Sequence, residues 1–216
     1  MLTKLHWDIL DERRKQLLPK LAFLKEEGFY LAGGTGLALQ IGHRTSLDFD
    51  FYTPQEYLPA EIYQQHLKQH HNQKQVELVK MTKNWLNTRI DSIEVTHFIY
   101  PYSLIEPLIE TPYLKVASSL DIAAMKLIAL VQRGTFRDFI DIYFLIQEFT
   151  LKTLLSVAQK KYTGYDVYLF LRALLYFEDA EKDARRKETK MLIQAPSWRE
   201  IKKFLQSQVF AVQKEL

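Results

Sequence analysis

The sequence predicts an α+β fold, with strands confined to the front half and helices alone in the back half. Between Phe29 and Tyr100, short apolar or alternating runs are separated by Gly, Pro and Asp-Ser, the pattern of strands joined by turns. From Ser118 onward the apolar period changes to that of a helix, with Leu120, Ala123, Ala124, Leu127, Ile128 and Val131 on one face. Composition agrees with a packed protein: the 216 residues are 47% hydrophobic and 25% charged, enough apolar chain to build a core and too much for a disordered one.

The elements follow in order. Leu5 to Glu27 reads as helix, with Leu17, Leu18, Leu21 and Leu24 on one side, Pro19 as a possible break and Gly28 as its end. Phe29–Ala32 is a short strand that runs into Gly33-Gly34-Thr35-Gly36, a glycine turn, and Leu37–Ile41 is a short helix closed by Gly42. Leu47–Tyr52 alternates apolar and acidic residues as a strand does, and a polar helix is expected over 60–71. Gln75–Met81, Trp85–Ile90 and Ser92–Tyr100 are three further strands, the last two joined by a tight turn at Asp91-Ser92. Pro101, Pro107 and Pro112 mark a seam, so the expected organisation is an α+β domain over 1–112 and a helical domain over 113–216 packed against it. In that second part, helices are expected from Ser119 to Gly134, then over Phe136–Phe149, Leu151–Tyr162, Asp166–Asp179 and Ser197–Gln213.

Several function classes fall away on composition. There is no cysteine, which removes disulfides, thiolate zinc sites and a thiol nucleophile. The charged residues early in the chain (Asp8, Asp11, Glu12, Arg13, Arg14) do not form a secretory leader, and no run approaches the ~18 apolar residues of a membrane span. A cytoplasmic protein with no membrane partner is the expectation. The formal charge of +3 hides a regional difference: Glu181–Leu216 holds nine Lys or Arg against five Asp or Glu, and the rest of the chain is slightly acidic. That basic segment is read either as a contact for an anionic partner or as a solvated helical face.

The chemistry concentrates in Phe29–Tyr52. Glycines between a strand and a helix let backbone approach a ligand, and N–H groups at a helix start favour a phosphate. In Leu47-Asp48-Phe49-Asp50-Phe51 the alternation places the three apolar residues on one face and Asp48 and Asp50 on the other, about 7 Å apart. Two such carboxylates repel unless a cation joins them, and Mg²⁺ suits hard oxygen ligands of this kind. An amphipathic strand with an acidic solvent face is the alternative. No Gly-Lys-Ser or Gly-Lys-Thr, HExxH or GxSxG occurs, so P-loop, zinc-peptidase and α/β-hydrolase chemistry is not indicated.

Taken together, the Gly33-Gly34 turn followed by apolar-Asp-apolar-Asp-apolar resembles the signature of the nucleotidyltransferase superfamily related to DNA polymerase beta. The runs GGTGLAL and HRTSLDFDFY, then DIAAMKL at Asp121–Leu127, Arg133-Gly134 and RDFIDIY at Arg137–Tyr143, resemble the AbiEii/AbiGii toxin family over most of residues 29–146. The resemblance implies a nucleotidyltransferase-like mixed sheet with flanking helices and a helical bundle after it. It implies NMP transfer from an NTP, with Gly33, Gly34 and Thr35 around the phosphates and Asp48 and Asp50 ligating Mg²⁺. A third acid is expected on a later strand. Thr96 occupies the matching position, and Glu94, two residues earlier and facing the same side, is the substitute catalytic and metal ligand. Arg44 is read as a nucleotide contact or as the partner of the strand acids that follow it; Lys126 and Arg133, seven apart on one helix, as phosphate contacts; and Lys126 and Asp138 as catalytic residues. His43 is read as structural. The implied partners are an NTP, a tRNA acceptor and a cognate antitoxin. A non-catalytic nucleotide-binding protein that has lost its third acid, and transfer to a small molecule or protein, are the alternatives.

Overall fold

The computed structural model describes residues 5–58, 61–69, 75–183, 189–194 and 196–215. The chain divides into two compact units, Met1–Gly42 with Ser46–Ser118, and His43–Thr45 with Ser119–Leu216.

The first unit opens with helix α1 (Glu12–Leu21), capped by Asp11, whose carboxylate accepts from the Arg14 N–H at 3.0 Å. Pro19 lies inside α1 without breaking it; the helix tightens afterwards into a 3-10 turn over Ala22–Lys25. Next come β1 (Tyr30–Leu31), α2 (Gly33–Ile41), β2 (Phe49–Thr53), α3 (Glu61–Gln69), β3 (Val76–Met81), β4 (Trp85–Ile90), β5 (Ile93–Ile99), β6 (Ile109–Glu110) and β7 (Lys115–Val116). Among the described residues these strands form one mixed sheet in the order β3-β4-β5-β2-β1-β7-β6. β2 runs parallel to β5 and β1 parallel to β7, and the other neighbours are antiparallel. Asp91 and Ser92 join β4 to β5 with φ of 48° and 69°, the left-handed pair that a two-residue hairpin turn requires.

Two corrections concern the seam. β6 and β7 were not foreseen, because two-residue strands carry no readable period. Residue 112 therefore falls inside a hairpin of the sheet, and the first unit extends to Ser118. The short segment His43–Thr45 belongs with the helical unit, although it sits in the middle of the front half of the chain.

One face of the sheet makes the core: Leu31, Phe49, Phe51, Leu86, Ile90, Ile93 and Val95 pack with Leu17, Leu21, Leu24 and Ile62 of the helices. Two histidines lie in this core, His66 and His97, with their Nε2 atoms 3.1 Å apart. Burial pushes the His97 pKa down to about 4, since an imidazolium there would lose its hydration. The alternation that buries Phe49, Phe51, Val95 and His97 turns Asp50, Tyr52, Thr96 and Phe98 to the opposite face.

The second unit contains α4 (Ser119–Gln132), α5 (Phe136–Glu148), α6 (Leu151–Lys161), α7 (Val167–Leu175), α8 (Glu178–Lys182) and α9 (Trp198–Gln213). Helix α4 is central and packs on α5, α6 and α7. Gly134 ends it with φ of 49°, as its position suggested. The single helix expected over Asp166–Asp179 is two, because Tyr176 adopts extended backbone between α7 and α8. The expectations at Ala60, His70 and His71, and at residues 184–188 of the basic segment, lie outside the described residues.

Candidate active site

In the first unit the site forms where β1 hands over to α2. The Ala32 N–H donates to the Asp50 carbonyl at 3.0 Å, fixing the end of β1 beside β2. Gly33 then takes φ of +60°, and a Cβ added there would stand only 2.9 Å from Asp50 Oδ2. A residue without a side chain is therefore required for two reasons, backbone conformation and space. The glycines form the first turn of α2 itself, not the loop before it that the sequence suggested. The first N–H groups of a helix lack intrahelical acceptors and stand at its positive end, so the Asp50 carboxylate lies against an anion-attracting turn.

The loop bearing Asp48 is held by side chains of the same unit. Thr35 donates its hydroxyl to the Asp48 carbonyl and stands 2.7 Å from the Ser46 hydroxyl. Arg14 Nε donates to the Leu47 carbonyl at 2.8 Å. From α2, Gln40 Nε2 donates to the carbonyls of Gly36 at 2.8 Å and Ala117 at 3.0 Å. The buried Thr35 hydroxyl therefore holds the acid-bearing loop. Arg14, Ser46 and Gln40 were missed, and local sequence held no signal for them, because each acts across 33, 11 and 77 residues respectively.

The register of the parallel pair places Asp50 opposite Thr96, and that of the hairpin places Thr96 opposite Asn87. Glu94 shares this face. Its carboxylate pairs with Arg89 at 3.5 Å, and Arg89 also pairs with Glu77 at 2.9 Å. Among the described residues, no three His, Cys, Asp or Glu side chains gather as a metal site. The Asp50 carboxylate beside Gly33 and that of Asp48, two residues earlier in the chain, are hard oxygen donors, a set that fits a Mg²⁺ ion bound through one or two carboxylates and completed by substrate phosphates.

The helical unit gathers its own charged group. Arg44 is buried and grips Asp141 with two bonds, Nε to Oδ1 at 2.7 Å and Nη2 to Oδ2 at 2.8 Å. His43 Nε2 lies 2.7 Å from Asp141 Oδ1, and Lys126 Nζ lies 2.6 Å from Asp141 Oδ2 and 2.8 Å from Asp138 Oδ1. Asp138 also accepts from the Thr135 hydroxyl at 2.6 Å and the Thr135 N–H at 3.3 Å, capping α5, while the exposed Arg133 stands 3.7 Å away. Burial opposes ionisation of Asp141, yet the charges of Arg44 and Lys126 prevail and hold its carboxyl well below the usual range. The same contest leaves Asp138 lowered, where burial is outweighed by Lys126 and Arg133, and Lys126 raised, where burial is outweighed by Asp138 and Asp141. His43 is lowered, its burial outweighing Asp141. Arg44 is therefore a partner of Asp141, an acid that lies 97 residues away and that the sequence had not named for it. Lys126 and Arg133 meet at Asp138; a phosphate reaching Lys126 has to compete with two carboxylates.

A mixed sheet that sets the Asp50 carboxylate against a glycine helix start is an arrangement suited to nucleotidyl transfer. Residues 88–214 match the family described as nucleotidyl transferase AbiEii toxin, type IV TA system, and the chain belongs to that AbiEii family. The matched stretch contains Glu94, Lys126, Arg133 and Asp138 and begins beyond the glycines and Asp48. A relative in Aquifex aeolicus (strain VF5), the uncharacterized protein aq_aa25, is 34% identical over 209 residues, covering 93% of this chain and 96% of its own. Three solved structures share the fold. A Helicobacter pylori protein provisionally assigned as a nucleotidyltransferase superposes with a TM-score of 0.62 at 16% identity, over 96% of this chain and 97% of its own. JHP933 from Helicobacter pylori gives 0.57 at 15%, over 96% and 94%. MenT4, the nucleotidyltransferase toxin Rv2826c from Mycobacterium tuberculosis H37Rv, gives 0.62 at 13%, over 91% and 80%.

Proposed function

We propose that the protein transfers an NMP from an NTP to the 3′ end of a tRNA, with Mg²⁺, in the cytoplasm, as a toxin paired with an antitoxin. The observation that supports this reading is the closeness of Gly33, in the first turn of α2, to the Asp50 carboxylate, as a phosphate-binding turn beside a metal-binding acid would have it. The family's toxin character and the likeness to MenT4 support the biological role.

In this reading the acceptor hydroxyl oxygen bonds to the α-phosphorus and gives up its proton to water, the bond from that phosphorus to the β-phosphate bridging oxygen breaks, and pyrophosphate leaves in line. The N–H groups of Gly33, Gly34 and Thr35 bind the phosphates, and Asp48 and Asp50, with Glu94 as the third acid, hold the metal. Bound Mg²⁺ would supply charge for the leaving group and lower the pKa of the attacking hydroxyl. In the helical unit, Lys126 and Arg133 serve as phosphate contacts and Asp138 as the acid that orients Lys126.

The test is incubation with each labelled NTP, Mg²⁺ and total RNA. Label is expected in tRNA with the native protein and in nothing with Asp48→Ala or Asp50→Ala. Full transfer by either variant refutes the acid assignment. Label in protein or in a small molecule alone refutes the tRNA acceptor.

A further inference from the structure

Beside the paired acids, the same face of the sheet carries a row of aromatic side chains. Trp85 on β4, Phe98 on β5, Tyr52 on β2 and Tyr30 on β1 stand opposite one another in register. The Tyr52 and Phe98 rings are near parallel with centroids 5.1 Å apart, and Tyr30 and Tyr52 are near parallel at 6.1 Å. Tyr100 meets Tyr52 edge-on at 5.4 Å, and Tyr102 continues the group at 4.9 Å from Tyr100. Parallel rings in direct contact are about 3.5 Å apart, so centroids at these larger separations mean that the rings are offset, each covering only part of the next. Tyr52, Phe98, Trp85 and Tyr100 are half-buried. At the far end Lys80 Nζ stands 5.4 Å from the Trp85 ring centroid, bringing positive charge to the row.

Position along β2 separates this row from the phosphate turn. The first turn of α2 reaches Asp50 through Gly33 and the Asp48 carbonyl through Thr35. Tyr52 lies on the other side of Asp50, about 7 Å further along the strand. In-line displacement sets the entering oxygen opposite the departing pyrophosphate. With the pyrophosphate at the α2 turn, the acceptor arrives from the Tyr52 side. A sheet face with offset aromatics and a nearby cation is how single-stranded RNA is held without a duplex, base against ring and phosphate near lysine.

We propose that Tyr52 and Phe98 form a stacking platform for the nucleobase at the 3′ end of a single-stranded RNA acceptor. This rests on the transfer reading above and names what places the acceptor hydroxyl. The base supplies the affinity, and its sugar hydroxyl is thereby carried toward Asp48 and Asp50.

The test is binding of a fluorescent single-stranded oligoribonucleotide to the full chain, by anisotropy, without NTP or metal. The same oligonucleotide with an abasic 3′-terminal nucleotide serves as comparison. The native protein is expected to bind the abasic form about tenfold more weakly, the order expected for one lost base–ring stack. Tyr52→Leu and Phe98→Leu should remove that preference, and Tyr52→Phe, which keeps the ring, should retain it. Equal binding of intact and abasic forms by the native protein overturns the proposal, even where a leucine variant fails to fold. Displacement of the terminal base by NTP alone also overturns it, assigning the ring to the nucleotide's own base. A platform that discriminates as expected in a protein that labels no RNA refutes the transfer reading and not the platform.

Discussion

Gly33→Ala separates the demands of the backbone from those of the site. At φ of +60° an L-residue costs roughly 1–2 kcal/mol, and alanine recovers about 0.4–1 kcal/mol by restricting the unfolded chain. The net destabilisation is about 1 kcal/mol, or roughly 2–4 °C in melting temperature for a chain of this length. The new methyl would lie 2.9 Å from Asp50 Oδ2 and 3.3 Å from its Cβ, where ordinary contacts begin near 3.4 Å, so the carboxylate must shift by about half an ångström. Misplacing a catalytic group by about 1 Å costs on the order of 100-fold, and a shift half as large is expected to slow transfer by about tenfold. Gly42→Ala is the control. Its φ is +71° and its methyl would meet the His6 ring at 2.7 Å, a strained position without contact to either acid. Thermal melts and single-turnover transfer on both variants decide the matter: both lose stability, and only Gly33→Ala loses rate per folded molecule. If the two slow equally, or if Gly33→Ala keeps the native rate, the coupling of the glycine turn to Asp50 is refuted.

Three further outcomes are expected. Because His97 is neutral in the fold, with a pKa near 4 against 6.5 unfolded, the unfolded chain gains a proton first as pH falls; stability is present above pH 6.5 and is lost between there and pH 4. Urea melts should show about 2 kcal/mol less stability at pH 5 than at pH 7 from this group, and His97→Leu should shrink that difference; an unchanged difference would sink the assignment. Asp141→Asn leaves Arg44 and Lys126 buried beside a neutral side chain and should cost about 3–5 kcal/mol in denaturant melts; a loss below 1 kcal/mol would mean that the cluster relaxes without it. Glu94→Gln is expected to lower the transfer rate at least tenfold and to raise the Mg²⁺ concentration needed; a native rate would show that Asp48 and Asp50 suffice.

Local pattern located most of the elements because each depends on side chains close in sequence. The 3.6 period of Leu120–Val131 and the alternation of Leu47–Tyr52 are properties of the chain itself, and so are the glycine stop at Gly134 and the Asp91-Ser92 turn. The pattern failed where backbone conformation or distant pairing decided. Nothing near Tyr176 announces extended backbone between α7 and α8. Strands as short as β6 and β7 exist only because β1 offers an edge to β7, through Leu31 and Val116.

At the site the division is the same. The sequence by itself determined the chemical inventory: a glycine turn, two acids two residues apart, no thiol, and the residues of an AbiEii nucleotidyltransferase. Only the tertiary structure decided what each residue is joined to. It bonded Arg44 to Asp141, turned the Thr35 hydroxyl inward to the Asp48 loop, and set Lys126 between two carboxylates. A side chain's type is fixed locally, but its hydrogen-bond partner is chosen across distances that loops and sheet register establish. Gly33 belongs to both levels. The sequence shows a residue able to take positive φ, and the fold brings the Asp50 carboxylate close enough to require it.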